Sequence, residues 1–242
     1  MTGSVSAEMQ SDFIEEIILT QGMQVQLSKW KNKLESGHKR VGWKIGFNTK
    51  ADQARMKIQQ PIVGFLTSES VLESGSTFTG NSSSKLMVEA EVAILLGQDV
   101  EANVSEELAV KAIKGFAPAI ELVDIAKTAH DMSAILEGNI FHEAVIFGEL
   151  STNITNFKAQ DISASVFVND QSIQTGDASR YPENICDIVL CVANTLAKQG
   201  ERLRAGDWII CGSITLPTEV QSGDKVDVSL SPLGSLQVNI LK

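Results

Sequence analysis

The stretch Lys85-Leu86-Met87-Val88-Glu89-Ala90-Glu91-Val92-Ala93-Ile94-Leu95-Leu96 places two carboxylates inside one of the most apolar runs of the chain. Because side chains alternate between the two faces of a strand, Glu89 and Glu91 are expected on the same face, roughly 6–7 Å apart. A solvated strand would carry further polar residues on that face, but it continues with Ala93 and Leu95. The stretch therefore predicts a buried strand with two neighbouring carboxylates on one side.

A third carboxylate, Glu121, lies in a similar setting, in the run Phe116-Ala117-Pro118-Ala119-Ile120-Glu121-Leu122-Val123. An unpaired carboxylate is costly to bury, so such a group either takes up a proton or finds a cation. Two neighbouring like charges make the cation the favoured solution. We therefore predict that Glu89, Glu91 and Glu121 hold one divalent metal ion through oxygen ligands.

An ordinary structural role is the alternative for this acidic pair. A Glu-x-Glu pair also occurs on solvated edge strands and on salt-bridged faces. Lys85 lies on the same predicted face, two positions before Met87, and is the nearest cation in the sequence. It could be the partner of a simple ion pair.

Length and composition are those of an ordinary globular protein. The chain has 242 residues, of which 43% are hydrophobic and 21% charged, and it is long enough to bury a core without covalent cross-links. We expect an N-terminal helical segment at residues 1–40, packed on a single catalytic domain at residues 41–242. The three cysteines lack a Cys-x-x-Cys spacing, which is typical of reduced thiols.

Charge and hydropathy exclude several classes of partner. The net charge is −10 and there is no basic run, so the surface would repel a phosphate backbone and nucleic acid is not expected. No stretch of 18 apolar residues and no signal-peptide pattern is present. We therefore expect a cytoplasmic protein that makes no membrane contact.

The pattern of predicted elements is many strands with a few separated helices, which indicates an α+β fold rather than a regular βαβ series. Helices are predicted at residues 10–34, 50–57, 105–113, 129–136 and 182–199. Strands are predicted at residues 40–47, 77–79, 85–96, 115–123, 139–147, 163–169, 172–175, 216–220, 225–230 and 236–241. Pro182 is expected in the first turn of the last helix and Gly200 at its C-terminal cap. Asp170-Gln171 is expected to be a hairpin turn.

Six segments in a fixed order carry a family resemblance. They are Gly42-Trp43-Lys44-Ile45-Gly46-Phe47, Pro61-Ile62-Val63-Gly64-Phe65-Leu66, Val88-Glu89-Ala90-Glu91-Val92-Ala93, Pro118-Ala119-Ile120-Glu121-Leu122-Val123, Ala205-Gly206-Asp207 and Gly234-Ser235-Leu236. Together they resemble the 2-oxopent-4-enoate hydratase / 4-oxalocrotonate decarboxylase family, within the fumarylacetoacetate hydrolase superfamily. The likeness extends from about Gln24 to the C-terminus.

The resemblance implies mixed β-sheets rolled around a buried metal site, in a homo-oligomer of aromatic catabolism. It also implies Mg²⁺, or Mn²⁺ in its place, on carboxylates that match Glu89, Glu91 and Glu121. The ion would bind the carboxylate and keto oxygens of a small 2-oxo acid, its partner, and would stabilise an enolate. Hydration of a 2-oxopent-4-enoate-type substrate is the leading expectation, and decarboxylation of a 4-oxalocrotonate-type substrate is the alternative.

The resemblance also implies roles for individual residues. Lys44 matches a lysine that holds substrate and assists proton transfer. The sequence around Lys44, taken without the resemblance, would instead indicate a surface lysine on an edge strand. Residues 48–58 are expected to form a mobile lid. Residues expected to contact substrate are Phe47, Ile62, Asn139, Gly212 and Ser213.

Several positions depart from the family pattern on the substrate side. Ile62 stands where hydratases carry an acidic residue, Phe141 replaces a substrate-contacting serine, and Arg180-Tyr181-Pro182 replaces Gly-His-Pro. His130 or His142 could supply a missing polar group. Two further functions stay open, a carbon–carbon bond hydrolase of acylpyruvates and a non-catalytic ligand-binding relative. The hydrolase would need a His–Glu pair in the lid, and residues 48–58 contain neither residue type.

Overall fold

The computed structural model describes residues 7–126, 131–153, 161–182 and 184–241. In these ranges the helices are α1 (Ala7–Glu35), α2 (Lys50–Met56), α3 (Glu106–Ala112), α4 (Met132–Glu137) and α5 (Cys186–Ala197). The strands are β1 (Arg40–Gly46), β2 (Ile62–Thr67), β3 (Val71–Leu72), β4 (Thr77–Thr79), β5 (Leu86–Leu96), β6 (Ile113–Asp124), β7 (His142–Phe147), β8 (Ser163–Val168), β9 (Gln171–Asp177), β10 (Trp208–Ser213), β11 (Thr218–Glu219), β12 (Lys225–Ser231) and β13 (Gly234–Leu241).

The larger of two sheets contains eight strands in the order β2-β1-β10-β5-β6-β7-β3, with β11 paired to β5. β5 and β6 are long antiparallel neighbours in its interior, and their register places Glu89 directly opposite Glu121. β1 runs parallel to β10, whereas β10 runs antiparallel to β5. Residues that are far apart in the sequence therefore meet on one surface of this sheet.

The second sheet contains five strands in the order β4-β13-β12-β8-β9. Its strand β13 runs parallel to β4 and antiparallel to β12. A single hydrophobic cluster includes side chains from both sheets, among them Val88 and Val92 of β5 and Val228 and Val238 of the second sheet. The predicted α+β class with mixed sheets and a helical N-terminal segment is confirmed.

One face of β1 carries a buried ion pair with its neighbours, which we call the Asp207 cluster (Arg40, Trp43, Arg204 and Asp207). Arg40 Nε donates to Asp207 Oδ1 at 2.6 Å, and the indole N–H of Trp43 donates to Oδ2 at 3.2 Å. The backbone N–H of Arg204 also donates to Oδ2, at 2.9 Å. The Arg40 guanidinium lies 5.1 Å from the ring centroid of Trp43, a favourable cation–π distance. These contacts fasten β1 to the turn before β10.

α1 packs against α4 and β2. Buried Gln26 donates to the carbonyl of Leu136 at 2.9 Å, and Lys29 donates to the carbonyl of Glu137 at 2.8 Å. The division of the chain at residue 40 stays a prediction. Among the described helices, none combines the length and the apolar character needed to cross a membrane.

The prediction that the last helix begins at Pro182 is wrong, since α5 begins at Cys186. The cause is Tyr181, whose buried hydroxyl accepts from Val92 N–H at 2.9 Å and donates to the Gly212 carbonyl at 2.7 Å. These bonds hold the segment before the helix against β5 and β10.

Two local boundaries also differ from the sequence pattern, and three strands were missed. The hairpin turn is Asn169-Asp170, one residue earlier than predicted, and both residues have positive φ angles of 51° and 64°, as a type I′ turn requires. The strand predicted from residue 139 begins at His142, because residues 139–141 adopt positive φ angles of 55°, 55° and 63°. The strands β2, β3 and β10 were not predicted.

Candidate metal centre and active site

The strand register brings the three predicted carboxylates together. One carboxylate oxygen from each of Glu89, Glu91 and Glu121 lies within 4.8 Å of the other two. Glu91 and Glu121 are buried, with 0% and 1% of their surface exposed, and Glu89 is partly buried. We call this group the glutamate triad. Its geometry is that of a site able to share one cation.

The hydrogen bonding of the triad is incomplete. Glu91 Oε2 accepts from the backbone N–H of Gly212 at 2.7 Å. Within the described ranges, Glu91 Oε1 and Glu121 Oε2 are both buried without a hydrogen-bond partner. Buried oxygens without donors are costly, and a set of carboxylate oxygens suits Mg²⁺, Ca²⁺ or Mn²⁺. The residues present therefore fit a divalent ion.

Lys44 supplies the cation closest to the triad. Its Nζ contacts Glu121 Oε1 and donates to the Ile140 carbonyl at 3.1 Å, and only 2% of the residue is exposed. Lys85, the partner considered from the sequence, is instead an exposed lysine 3.6 Å from Glu219. The structure thus contains an ion pair at the triad, but its lysine is Lys44, which is 77 positions from Glu121 in the sequence. The single positive charge of Lys44 can balance only one of the three carboxylate charges.

His142 is the second group that holds Glu121. Its Nδ1 lies 2.6 Å from Glu121 Oε1, and its Nε2 lies 2.9 Å from the Ser70 hydroxyl. A neutral imidazole can donate from Nδ1 to the carboxylate while Nε2 accepts from the hydroxyl. With Lys44 and His142 both on Oε1, the other oxygen of Glu121 is left for a ligand. His130, the other histidine considered from the sequence, lies outside the described residues.

The protonation behaviour of the triad follows from burial and mutual repulsion. Burial, and then the charge of Glu121, raise the pKa of Glu89 to about 7. Burial and the same repulsion raise the pKa of Glu91 well above its usual value. Burial alone would also raise the pKa of Glu121, but Lys44 and His142 outweigh it and lower that pKa. Burial lowers the pKa of His142, consistent with a neutral imidazole.

A cavity of about 420 Å³ adjoins the triad, within the range typical of small-molecule sites. Its polar lining includes Lys44, Asn48, Asp52, Glu89 and Arg180. Most of the remaining wall is apolar. Its side chains include Phe47, Val123, Ile125, Ile140, Phe141, Leu216 and Pro217. Such a space can take a short organic acid with its polar end at Glu89 and Lys44.

Of the five residues expected to contact substrate, Phe47, Gly212 and Ser213 line this cavity. Ile62 is instead buried in the hydrophobic core and is not among the lining residues. Asn139 bonds the backbone of Phe65, with Oδ1 accepting from its N–H at 2.9 Å and Nδ2 donating to its carbonyl at 3.0 Å. The Asn139 side chain is therefore used to hold β2.

Two glycines make room for the site. A Cβ at Gly64 would lie 2.8 Å from Lys44 Cγ, so the lysine side chain passes over the bare backbone of β2. Gly212 has a φ of 86° and lies against the Asn48 side chain, where a Cβ would come within 2.7 Å. The same residue donates its N–H to Glu91.

The predicted lid segment lies at the mouth of the cavity. Thr49 caps α2 by accepting from the Asp52 N–H at 3.0 Å, and residues 48, 49, 51, 52 and 55 line the cavity. Movement of α2 stays a prediction.

Sequence reasoning missed Ser70, the role of Tyr181 and the position of Arg180 in the cavity wall. Ser70 lies in a Ser/Thr-rich stretch with no distinguishing pattern. Tyr181 could have been noticed as the sole tyrosine, and Arg180 as a cation two residues before a proline, but neither signal assigns a contact.

Comparison with known proteins agrees with this geometry. The family model described as fumarylacetoacetate (FAA) hydrolase C-terminal matches residues 36–241. A 4-oxalocrotonate decarboxylase of Pseudomonas sp is 24% identical over 98% of this chain and 91% of that protein. The 2-keto-4-pentenoate hydratase 1 of Dechloromonas aromatica (strain RCB) is 25% identical over 84% of this chain and 78% of that protein.

Solved structures share the fold. A 4-oxalocrotonate decarboxylase from Pseudomonas putida G7, complexed with magnesium and adipate, has a TM-score of 0.83 and 21% identity, covering 99% of this chain and 100% of that chain. A fumarylpyruvate hydrolase from Pseudomonas aeruginosa, in complex with Mn²⁺ and pyruvate, has a TM-score of 0.67 and 16% identity, covering 84% and 90%.

These findings confirm the resemblance inferred from the sequence, and the names of the relatives support an enzyme of the hydratase and decarboxylase kind. The family model covers the glutamate triad, Lys44 and the cavity wall alike. The chain belongs to the fumarylacetoacetate hydrolase C-terminal family.

Proposed function

We propose that the protein is a divalent-metal-dependent lyase that acts on short 2-oxo or 2-hydroxydienoate acids. The observation that carries this proposal is the glutamate triad. Three carboxylates lie within 4.8 Å of one another, two of their oxygens have no donor among the described residues, and the adjoining cavity contains Lys44. Neither a structural ion pair nor a solvated acidic patch accounts for this combination.

Glu89, Glu91 and Glu121 would hold the ion, with Mg²⁺ as the first expectation and Mn²⁺ as the second. Solved structures of the same fold in complex with magnesium, calcium or Mn²⁺ support a divalent cation of this kind. When bound, the ion supplies a Lewis acid that draws electrons from the 2-oxo group of the substrate. Glu89 faces both the triad and the cavity, so the substrate headgroup would lie at this carboxylate.

Lys44, which lines the cavity and contacts Glu121, would act on the substrate directly. Two of its three N–H groups are used by Glu121 and Ile140, which leaves one for an oxygen of the substrate. The fixed ammonium stabilises negative charge as it develops on the substrate. It can also supply the proton that the carbon skeleton takes up at the end of the reaction.

Hydration, the first expectation, and decarboxylation require the same two functions from these residues. In both reactions the 2-oxo acid headgroup accepts an electron pair and a carbon later receives a proton. The relatives are named for both reactions. Decarboxylation needs no activated water, and of the ionisable side chains that line the described cavity, only Asp52 and Glu89 could serve as a base. Decarboxylation is therefore kept as the second candidate function, after hydration.

Two other functions fit less well. Hydrolysis of acylpyruvates would need a water-activating pair, and residues 48–58 beside the cavity include no histidine and no glutamate. A non-catalytic relative would have no use for a buried lysine held beside three carboxylates. A homo-oligomeric, cytoplasmic protein stays the expectation that follows from the resemblance.

The test is to incubate the Mg²⁺-loaded protein separately with 2-hydroxypenta-2,4-dienoate and with 4-oxalocrotonate. Loss of ultraviolet absorbance with addition of water to the first substrate identifies a hydratase, and release of CO₂ from the second identifies a decarboxylase. Glu91→Gln is the control, since it removes one proposed metal ligand and nearly preserves the shape. No reaction of either substrate with the metal-loaded wild-type protein would contradict the proposal.

A further inference from the structure

Arg180 is a cation of the cavity wall whose terminal nitrogens make none of the described hydrogen bonds. It ends a short 3₁₀ turn at residues 178–180 and lines the cavity together with Glu89 and Lys44. Its side chain is 28% exposed. It therefore borders the cavity while still being reached by solvent or by a ligand.

The guanidinium is held in place but is not saturated. Its Nε donates to the Ser213 carbonyl at 3.1 Å. Its nearest described anion is Asp52, 3.7 Å from Nη2, which is beyond hydrogen-bonding distance. Asp52 already accepts from the Thr49 hydroxyl at 2.6 Å and from Arg55 at 3.1 Å. A guanidinium presents five N–H donors in a planar fork, so the described contacts leave the Nη pair available.

The loose pair with Asp52 is easily exchanged. Partly exposed ion pairs contribute little, so replacement of Asp52 by another carboxylate costs little. A carboxylate on a ligand can take up two parallel N–H bonds from the fork, a stronger arrangement than the one now present. The Ser213 contact meanwhile fixes the orientation of the guanidinium. It is pre-organised for an anion.

The rest of the cavity agrees with a ligand that has two polar groups. The headgroup site contains Glu89 and Lys44, and the cavity wall also includes apolar side chains such as Val123, Phe141 and Leu216. The charge of Arg180 reaches the triad, since it acts to lower the pKa of Glu89 against the dominant effect of burial. The cavity thus offers two cations, Lys44 and Arg180, together with an apolar wall.

We propose that Arg180 binds a second carboxylate carried by the substrate and thereby selects 2-oxo diacids over 2-oxo monoacids of the same length. The inference rests on the proposed function, because it presumes that the 2-oxo end lies at the triad. Arg180 is a specificity residue in this scheme and takes no part in bond breaking.

The experiment is calorimetric titration of the Mg²⁺-loaded protein with two unreactive ligands, 2-oxoadipate and 2-oxohexanoate. They share a six-carbon chain and a 2-oxo acid headgroup, and they differ only in the terminal carboxylate. We expect 2-oxoadipate to bind about 30-fold more tightly, as a charge-assisted bidentate contact allows. Arg180→Met should reduce this ratio to about 3-fold or less.

Two further variants keep the test decisive. Arg202→Met is the matched control, because Arg202 is 52% exposed, pairs with Asp99 and Glu101 and is not among the described residues that line the cavity, and it should keep the ratio. Arg180→Lys retains the positive charge but lacks the planar pair of N–H donors, and we expect an intermediate affinity ratio of about 5-fold. This variant replaces Arg180→Met in the test if Arg180→Met does not fold.

The outcomes separate the two proposals. Equal binding of both ligands by the wild-type protein, or a full ratio in Arg180→Met, would overturn the role of Arg180 and leave the metal-dependent 2-oxo acid site standing. Binding of neither ligand by protein that still binds Mg²⁺ would overturn both.

Discussion

Two buried groups of charges flank the same strand, and they differ in how their charges are balanced. In the Asp207 cluster, one carboxylate receives donors on both oxygens from Arg40, Trp43 and the backbone of Arg204. In the glutamate triad, three carboxylates share Lys44 and His142, and two oxygens have no donor within the described residues. Trp43 and Lys44 are consecutive in β1, so the alternation of the strand points one to each group.

The comparison separates a structural ion pair from a site that needs a ligand. A buried pair is tolerated when its hydrogen bonds are complete, and it becomes strongly destabilising when one partner is removed. A surplus of buried carboxylates is unfavourable in itself, because each resists desolvation and repels the others. In the Asp207 cluster both carboxylate oxygens have donors from the chain, although Arg40 Nη1 is buried without a hydrogen-bond partner among the described residues and lies 3.9 Å from Glu201. The triad has a surplus of carboxylates, which an added cation would offset.

The same chemical change should therefore have opposite effects in the two groups. Asp207→Asn leaves Arg40 without its carboxylate and should lower the free energy of unfolding by about 3–5 kcal/mol. Glu91→Gln removes a surplus charge, and its amide oxygen can still accept from Gly212, so we expect the metal-free protein to be unchanged or more stable at pH 8 by about 1–3 kcal/mol. Urea unfolding in the presence of a chelator measures both. Equal destabilisation by the two substitutions would remove the distinction.

Removal of the lysine should separate catalysis from metal binding. Lys44→Met keeps an apolar stem of similar length, leaves the three carboxylates in place and removes the positive charge that competes with the ion. We expect turnover to fall about 100-fold or more, as for a general acid, with metal affinity retained or increased. Lys85→Met, at an exposed lysine paired with Glu219, is the matched control and should leave turnover unchanged. Wild-type turnover in Lys44→Met would remove the lysine from the mechanism.

The histidine should contribute through the orientation of Glu121. His142→Asn removes the contact to Glu121 Oε1 and the bond to Ser70, and loss of such an outer partner typically costs about 10–100-fold in metal affinity. Calorimetric titration with Mn²⁺ measures the change. His38→Asn alters an exposed histidine 3.9 Å from Glu69 and should leave the affinity as it is. An unchanged affinity in His142→Asn would show that Lys44 alone positions the carboxylate.

The pH dependence of the metal-free protein should reveal the strained carboxylates. The pKa of Glu89 is raised to about 7 and that of Glu91 is also raised, so the folded state binds more protons than the unfolded state between about pH 4.5 and 7. These two groups make stability fall as pH rises through this window, and the lowered pKa of His142 contributes in the opposite direction below its usual value of about 6.5. We expect the melting temperature with chelator to be about 2–4 °C lower at pH 8 than at pH 6, the shift that about 1 kcal/mol produces in a chain of this size.

The metal-loaded protein supplies the contrast for this measurement. A bound ion holds the carboxylates deprotonated, so its melting temperature should not fall over the same pH range. A metal-free protein that is more stable at pH 8 than at pH 6 would contradict the assignment of raised pKa values to the triad.

Local patterns were sufficient to predict β5, β6 and the shared face of Glu89 and Glu91. That prediction needed only the two-residue period of a strand and the apolar residues on either side. The pairing of Glu121 with Lys44 could not be predicted from local patterns. Lys44 is 77 positions away in the sequence, and the two residues meet because the sheet has the strand order β1-β10-β5-β6. The nearest cation in the sequence, Lys85, has a different partner.

The substrate side was harder to predict for the same reason. Asn139 was expected at the substrate, but a positive φ and two bonds to Phe65 commit its side chain to β2. Tyr181 displaces the start of α5 from Pro182 because its hydroxyl bonds two other strands. Both outcomes depend on contacts between distant segments, which a pattern of neighbouring residues does not contain.

The most direct test of the account is thermal unfolding at pH 8 of chelator-treated wild-type protein, Glu91→Gln and Asp207→Asn, each with and without added Mg²⁺. A ligand at about 100 times its Kd stabilises the folded state by about 2.7 kcal/mol, which raises the melting temperature of a chain of this size by about 5–10 °C. We predict that rise for the wild-type protein and for Asp207→Asn, and none for Glu91→Gln. A wild-type protein that Mg²⁺ and Mn²⁺ leave unchanged, or a Glu91→Gln variant stabilised as much as the wild type, would contradict the claim that the triad is completed by a divalent cation.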